Sequence, residues 1–202
     1  MSVVITCVCG PDIAPFVDDL AGLRMRVFRD FPYLYDGTRD YERHYIETYA
    51  RSPESLFVLA LDGDRVVGVS TGVPLRDESE AFKAPFLARG MDPESVFYFG
   101  ESVLLAGYRG RGTGVAFFNE REAYAQRLGR FRYTAFCAVE RPADHPLRPA
   151  GYEPLDAFWT RRGYCRHPEF QSVYRWKDID QPAESDHVMT FWMKDWRACN
   201  PS

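Results

Sequence analysis

No run of apolar residues in this chain of 202 approaches the roughly 20 that a membrane-crossing helix needs. No C-x-x-C pair occurs, and the five cysteines (Cys7, Cys9, Cys137, Cys165 and Cys199) are odd in number and scattered. That spacing does not fit a zinc site and speaks against a disulfide framework; reduced thiols in the cytoplasm are the expectation. The four histidines form no cluster of metal-ligand spacing, so no metal is expected. Positive charge is also in short supply. Lys and Arg total 25 against 29 Asp and Glu, a net charge of -4, the wrong sign for a general nucleic-acid binder. The opening MSVVITCVCG has no basic n-region and soon meets Pro11 and Asp12, so a secretory signal is not expected. An internal repeat, a low-complexity tract and a dividing linker are missing too, and residues 1–202 read as one domain.

Apolar residues make up 46% of the chain and aromatics 15%, enough for a real core. The β-branched run Val3–Cys9 stops at Gly10-Pro11 and predicts a first strand. Asp12 opens a helical pattern that runs through PFVDDLAGLRMRVFRD to Pro32, and a second helix is expected over Arg39–Ala50. Between them FPYLYDG reads as an aromatic loop. LFVLALDGDRVVGVSTGVPL has hairpin chemistry around Asp62-Gly63-Asp64. RDESEAFKAPFLARGMDPES is polar and broken by Pro85, Gly90 and Pro93, so a loop with one helical turn is expected. VFYFGESVLL predicts one strand, Thr113–Leu128 a helix stopped by Gly129, and YTAFCAV another strand. A proline-laden loop (140–154), a helix around LDAFWTRRG, and the strands FQSVYRWKDI and HVMTFWMKDW complete the order. The fold class is therefore mixed α/β.

Tyr108–Gly114, YRGRGTG, joins a strand to a helix with three glycines and two arginines. Backbone N–H groups at a helix start, with the positive end of its dipole, suit an anion. Glycines let that anion approach closely, and Arg109 and Arg111 add charge. A phosphate or pyrophosphate is the natural guest. The Gly-Lys-Ser/Thr ending of a Walker A loop is absent, and so is G-x-G-x-x-G with an acidic ribose partner.

The pattern R-x-x-G-x-G, here Arg109, Gly112 and Gly114, resembles the pyrophosphate-binding motif of the GNAT superfamily of N-acetyltransferases. The order of elements is similar to the GNAT order over most of the chain, and Arg161-Arg162-Gly163-Tyr164 resembles the Gly-aromatic ending of that family's penultimate helix. The resemblance implies a mostly antiparallel central sheet with helices on both faces. It implies acetyl-CoA as cosubstrate, its pyrophosphate on Arg109, Gly110, Arg111, Gly112, Thr113 and Gly114, and its pantetheine against the backbone of Leu104. Ala106 stands where the family often has proline.

Acetyl transfer to an amine needs a base for the ammonium and polarisation of the thioester, and it benefits from a proton for the thiolate. Simple alternation puts Phe97, Phe99, Glu101, Val103 and Leu105 on one face, and Tyr98, Ser102 and Leu104 on the other. Glu101 is thus expected among phenylalanines beside a flexible Gly100, where apolar neighbours raise a carboxyl toward the range of a general base. The competing expectation is an ion-paired Glu101 that only holds the fold. Glu140 is the reserve base. Trp159 occupies the position where the family often carries a tyrosine; Tyr152 is the candidate acid ahead of Tyr164, a core aromatic by expectation, and a thiolate that leaves without an acid is the alternative. Tyr33, Tyr35 and Asp36 are expected to line the acceptor site, with Asp144 and His145 opposite.

These expectations converge on transfer of an acetyl group to a primary amine of a small molecule, or a peptide amine, in a ternary complex. A non-catalytic acyl-CoA-binding module and a nucleotide-phosphate binder are the alternatives. Edge strands near the C-terminal end also make a homodimer an expectation.

Overall fold

In the computed structural model, which describes residues 3–198, the chain begins with β1 (Val4–Cys9), α1 (Val17–Phe28), α2 (Arg39–Ala50), β2 (Leu56–Asp62) and β3 (Arg65–Pro74). It continues through α3 (Glu80–Leu87), β4 (Val96–Tyr98), β5 (Ser102–Leu104), α4 (Thr113–Leu128) and β6 (Tyr133–Val139). It closes with α5 (Asp156–Arg161), β7 (Cys165–Lys177) and β8 (Glu184–Asp195). The strands make one open sheet in the order β1-β2-β3-β4-β6-β8-β7, with β5 also paired to β3. Among these pairings only β4 with β6 is parallel. The mixed, mostly antiparallel sheet is the one expected.

Helices cover both faces. Leu20 and Leu23 of α1, Ile46 and Tyr49 of α2 and Phe86 of α3 pack with Phe57, Leu59, Val69, Tyr98 and Phe191. On the other face Phe118 of α4 and Phe158 of α5 meet Phe97, Phe99, Phe136 and Trp192. Local chemistry sets the ends of these helices. The Thr38 hydroxyl accepts from the Tyr41 amide to start α2. Gly129, at φ +73°, terminates α4 in the left-handed conformation that glycine adopts freely.

Several expectations from sequence are corrected. The stretch Gly10–Phe16 is a 3-10 helix, and regular α-helix starts only at Val17. The regular helix thus begins five residues after the expected start at Asp12. The segment expected as a loop holds two turns of helix, α3, despite Pro85. Pro85 cannot donate to the carbonyl of Ala81, and the Ser172 hydroxyl of β7 bonds that carbonyl instead. β7 begins at Cys165, five residues before the expected Phe170. Its ladder jumps from His167 to Gln171, and Pro168, which has no ladder donor, lies in the gap.

Candidate active site

VFYFGESVLL is not one strand but two, β4 and β5, and the break builds the site. Val73 of β3 opposes Tyr98 of β4, and Ser70 opposes Ser102 of β5. Between these pairs Thr71 and Gly72 face three residues, Phe99, Gly100 and Glu101, so one residue is extra. This is a β-bulge. Thr71 serves both sides of it, its carbonyl accepting from the Gly100 amide at 3.2 Å and its amide donating to the Glu101 carbonyl at 3.0 Å.

An inserted residue reverses the facing of every side chain beyond it. Glu101 therefore lies on the face of α1 and α2 with Tyr98 and Val103, away from Phe97 and Phe99. The expectation of a carboxylate among phenylalanines is corrected: Glu101 Oε2 lies 2.8 Å from Arg24 Nη1 and accepts from the Tyr45 hydroxyl at 3.3 Å. Gly100 is not a flexible point either. A Cβ there would stand 2.6 Å from Thr71 Oγ1 and 2.7 Å from the Tyr49 hydroxyl, so glycine is required by close packing. From α4, the buried Arg121 donates to the carbonyls of Thr71 at 3.3 Å and Glu101 at 3.4 Å. Burial lowers its pKa to about 10, which leaves it cationic at neutral pH.

The bulge also opens the sheet. β4 pairs with β6 up to Tyr98 and Ala135, and the Phe99 amide adds one last bond to the Ala135 carbonyl at 2.7 Å. Beyond it β5 pairs with β3 alone, while β6 continues along β8 to Val139. The Glu101 carbonyl and the Leu105 amide bond to β3, so alternation turns the backbone of Ser102 and Leu104 toward the gap beside β6. The Leu104 carbonyl in that gap accepts from Arg109 Nε at 3.1 Å.

The glycine turn lies at the far end of β5. Gly110 and Gly112 have φ of +75° and +85°, values that side chains other than glycine's avoid. A Cβ added at Gly107, Gly110, Gly112 or Gly114 would meet no atom within 4 Å. These glycines border open space rather than packed protein. The amides of Gly110, Arg111 and Gly112 make no backbone hydrogen bond among the described residues, and the first amides of α4 have no helical acceptor. Such a cradle fits a diphosphate. Arg109 reaches Asp30 only at 3.8 Å, and Arg111 lies 5.8 Å from the Tyr108 ring.

A cavity of about 270 Å³, with Glu101 in its lining, opens between the loop after α1 and β7. Glu101, Tyr33, Tyr35 and Asp36 all line it, together with Arg24, Glu42, Tyr45 and Trp176. Arg24 and Glu42 are buried and form a direct ion pair, so one guanidinium serves two carboxylates. Burial first, and then Glu101, raise the pKa of the Tyr45 phenol. Asp36 is held by Lys177 at 2.7 Å and Arg29 at 2.9 Å, and those bonds keep its carboxyl below the usual range. Cys137 also lines the cavity; burial pushes its thiol up to about 12, so it is no nucleophile at neutral pH.

The cavity wall is pinned from behind. Arg141 donates to the carbonyls of Pro32 and Tyr33 at 2.6 Å each and pairs with both oxygens of Asp178. Trp176 Nε1 donates to the same Tyr33 carbonyl at 3.1 Å. Leu34 is held at φ +54°, its carbonyl accepting from the Ile179 amide at 2.7 Å.

Other candidates lie elsewhere. Tyr152 is outside the cavity lining and stacks edge-on against Phe31 at 4.7 Å, with burial raising its phenol. Glu140 forms a surface pair with Arg166. Asp144 is exposed, and His145 accepts from the Leu147 amide at 3.1 Å; neither lines the cavity. Trp159 packs against Phe136 and Trp192, and the Tyr164 hydroxyl is shared between Thr134 and Glu122 in the core. Four cysteines are free thiols, and Cys199 lies outside the described residues. No group of three metal-ligating side chains occurs among the described residues.

Sequence reasoning passed over Arg24 and Glu42. The signal was present: Arg24 follows Leu20, Ala21 and Leu23 on the buried stripe of α1, and Glu42 precedes Ile46 and Tyr49 on that of α2. A charge on the apolar stripe of a helix needs a partner.

Solved structures share this architecture. An N-acetyltransferase from Staphylococcus aureus Mu50 aligns with a TM-score of 0.60 at 15% identity, covering 96% of this chain and 99% of its own. Arabidopsis thaliana NAA60, solved with a bisubstrate analogue, aligns at 0.62 with 13% identity over 96% and 98% of the two chains. A protein assigned to the GNAT family from Desulfovibrio desulfuricans aligns at 0.56 with 13% identity over 96% and 99%. The chain has the fold of the GNAT acetyltransferases. No protein-family model matches the sequence, and no curated protein does.

Proposed function

We propose that this protein is an acetyl-CoA-dependent N-acetyltransferase acting on the primary amine of a small molecule, as one cytoplasmic domain. The observation that carries this is the position of Glu101. It stands at the bulge, three residues before Leu104 on the strand beside the open gap, and it lines the aromatic cavity. The amides of Gly110–Gly114, with Arg109 and Arg111, hold the diphosphate, and the free amide of Leu104 meets the pantetheine arm. Bound there, the cosubstrate supplies an activated acetyl thioester.

The acceptor enters the cavity against Tyr33 and Tyr35. Glu101 takes a proton from its ammonium, directly or through water, and the neutral nitrogen attacks the thioester carbonyl carbon. The C–N bond forms and the C–S bond breaks, the nitrogen releases its surplus proton to solvent, and the sulfur gains one from Tyr152 or from solvent.

The test is a melting curve with and without acetyl-CoA, repeated for Gly112→Glu, followed by thiol release with a panel of amines. Ligand at about a thousand times its dissociation constant adds roughly 4 kcal/mol of stability. A shift lost in Gly112→Glu, with turnover of an amine, is the expected result. Binding without turnover, unaffected by Glu101→Gln, means a CoA-binding module instead. Stronger stabilisation by ATP than by acetyl-CoA means a nucleotide site.

A further inference from the structure

The floor of the cavity carries more negative charge than its own cation balances. Glu42 and Glu101 share Arg24, and each keeps one carboxylate oxygen, Oε1, that is shut off from solvent and makes no hydrogen bond. Two carboxylates against one guanidinium leave a net negative charge beneath the cavity, and that charge favours a cation such as an ammonium above it. The groups facing Glu101 add no further cation on that side. They are Tyr45, Tyr49 and Glu42 from α2, Tyr33 from the loop, Tyr98 from β4 and Glu78 after β3. Arg121, from α4, is spent on backbone carbonyls.

At the mouth, the cations that line the cavity already have carboxylate partners: Lys177 shares Asp36 with Arg29, and Arg175 meets Asp186 at 3.3 Å. The lining as a whole holds Asp36, Glu42, Glu101 and Glu184 against Arg24, Arg175 and Lys177. A carboxylate attached beside the reacting amine would be buried near Glu101 with no free cation to receive it. The walls, in contrast, form a continuous aromatic surface. Phe28 and Tyr33 have ring centroids 4.6 Å apart, and Tyr33 and Trp176 6.2 Å apart. Flat rings and alkyl bodies gain from such walls, and a cation gains from their π faces.

Resting on the transfer function proposed above, we infer that the acceptor is an aryl-alkyl monoamine without a carboxylate beside the nitrogen. Amino acids are excluded by charge rather than by size.

Three matched compounds isolate that charge: 2-phenylethylamine, L-phenylalanine and L-phenylalaninamide, whose carboxamide has the shape of the acid without its charge. In the wild-type protein with acetyl-CoA, kcat/KM for 2-phenylethylamine is expected to exceed that for phenylalanine by about 100-fold or more, since every 1.4 kcal/mol of buried repulsion is tenfold. The amide should recover most of the loss. Glu42→Gln, which removes one floor charge at constant shape, should narrow the gap between amine and acid. Equal use of phenylalanine, equal failure of its amide, or faster turnover of spermidine overturns the inference. Calorimetric titration of the same three compounds separates it from catalysis. If nothing is acetylated but 2-phenylethylamine binds and phenylalanine does not, the ammonium seat stands and the transferase assignment falls. If phenylalanine binds as tightly, the inference falls whatever the turnover.

Discussion

Arg24 Nη1 lies 2.8 Å from the Glu101 carboxylate, and the same guanidinium is gripped by Glu42. Glu101 is thus neither a lone base in an apolar pocket nor a carboxylate fully committed to one ion pair. Glu42 offsets much of the arginine's charge, and the triad as a whole is an anion facing the cavity.

Replacing Glu101 by Gln keeps the shape and leaves Arg24 paired with Glu42. The transfer rate is expected to fall by about 10²–10⁴, the usual yield of a positioned proton acceptor. Affinity for acetyl-CoA, measured by calorimetry, should not change. Wild-type turnover in this variant would remove Glu101 from the chemistry.

Gly100→Ala tests the bulge. The added carbon meets Thr71 Oγ1 and the Tyr49 hydroxyl inside 3 Å, so a loss of about 1–3 kcal/mol is expected in urea unfolding. Transfer should weaken as well, because the displaced segment carries Glu101. An alanine variant as stable as the wild type would mean that the site is looser than its geometry.

Arg141→Met leaves the carboxylate of Asp178, itself 3% exposed, without its cation. Breaking a buried pair from one side costs about 3–5 kcal/mol. The same change frees the carbonyl of Pro32 and leaves that of Tyr33 to Trp176 Nε1 alone, so KM for the amine should rise more than kcat falls. The urea midpoint and the split of kcat and KM are the two readouts.

His187 is buried, stacked on Trp176 at 3.8 Å and facing Asp178, Asp186, Arg141 and Ser185. Burial holds its pKa below the usual 6.5 despite Asp178. In that window the unfolded chain binds more protons than the folded one, so stability rises with pH and is lost as pH falls through 6.5 toward the folded value. The melting temperature should drop in that interval, and His187→Gln should flatten the drop. An unchanged slope in the variant assigns the drop to other groups.

Most of the fold was legible along the chain. The hairpin at Asp62-Gly63-Asp64, the α2 boundaries and the stop at Gly129 follow from turn and cap chemistry acting within a few residues. The glycine turn was legible for the same reason, since φ near +80° at Gly110 and Gly112 is a local demand. α3 was not: the carbonyl that Pro85 leaves free is bonded by Ser172, far along the chain.

The sequence by itself determined the elements, their order and a turn suited to an anion, because helical stripes, strand runs and glycine φ values are properties of short segments. Tertiary structure alone decided which way Glu101 faces and what it meets. One residue more on one strand than on its partner is a property of pairing, invisible in either strand, and it carries Glu101 from the phenylalanine face to Arg24. Arg24 and Glu42 are charges on apolar stripes of two separate helices. Only the packing of those helices on the sheet brings the two together beside Glu101.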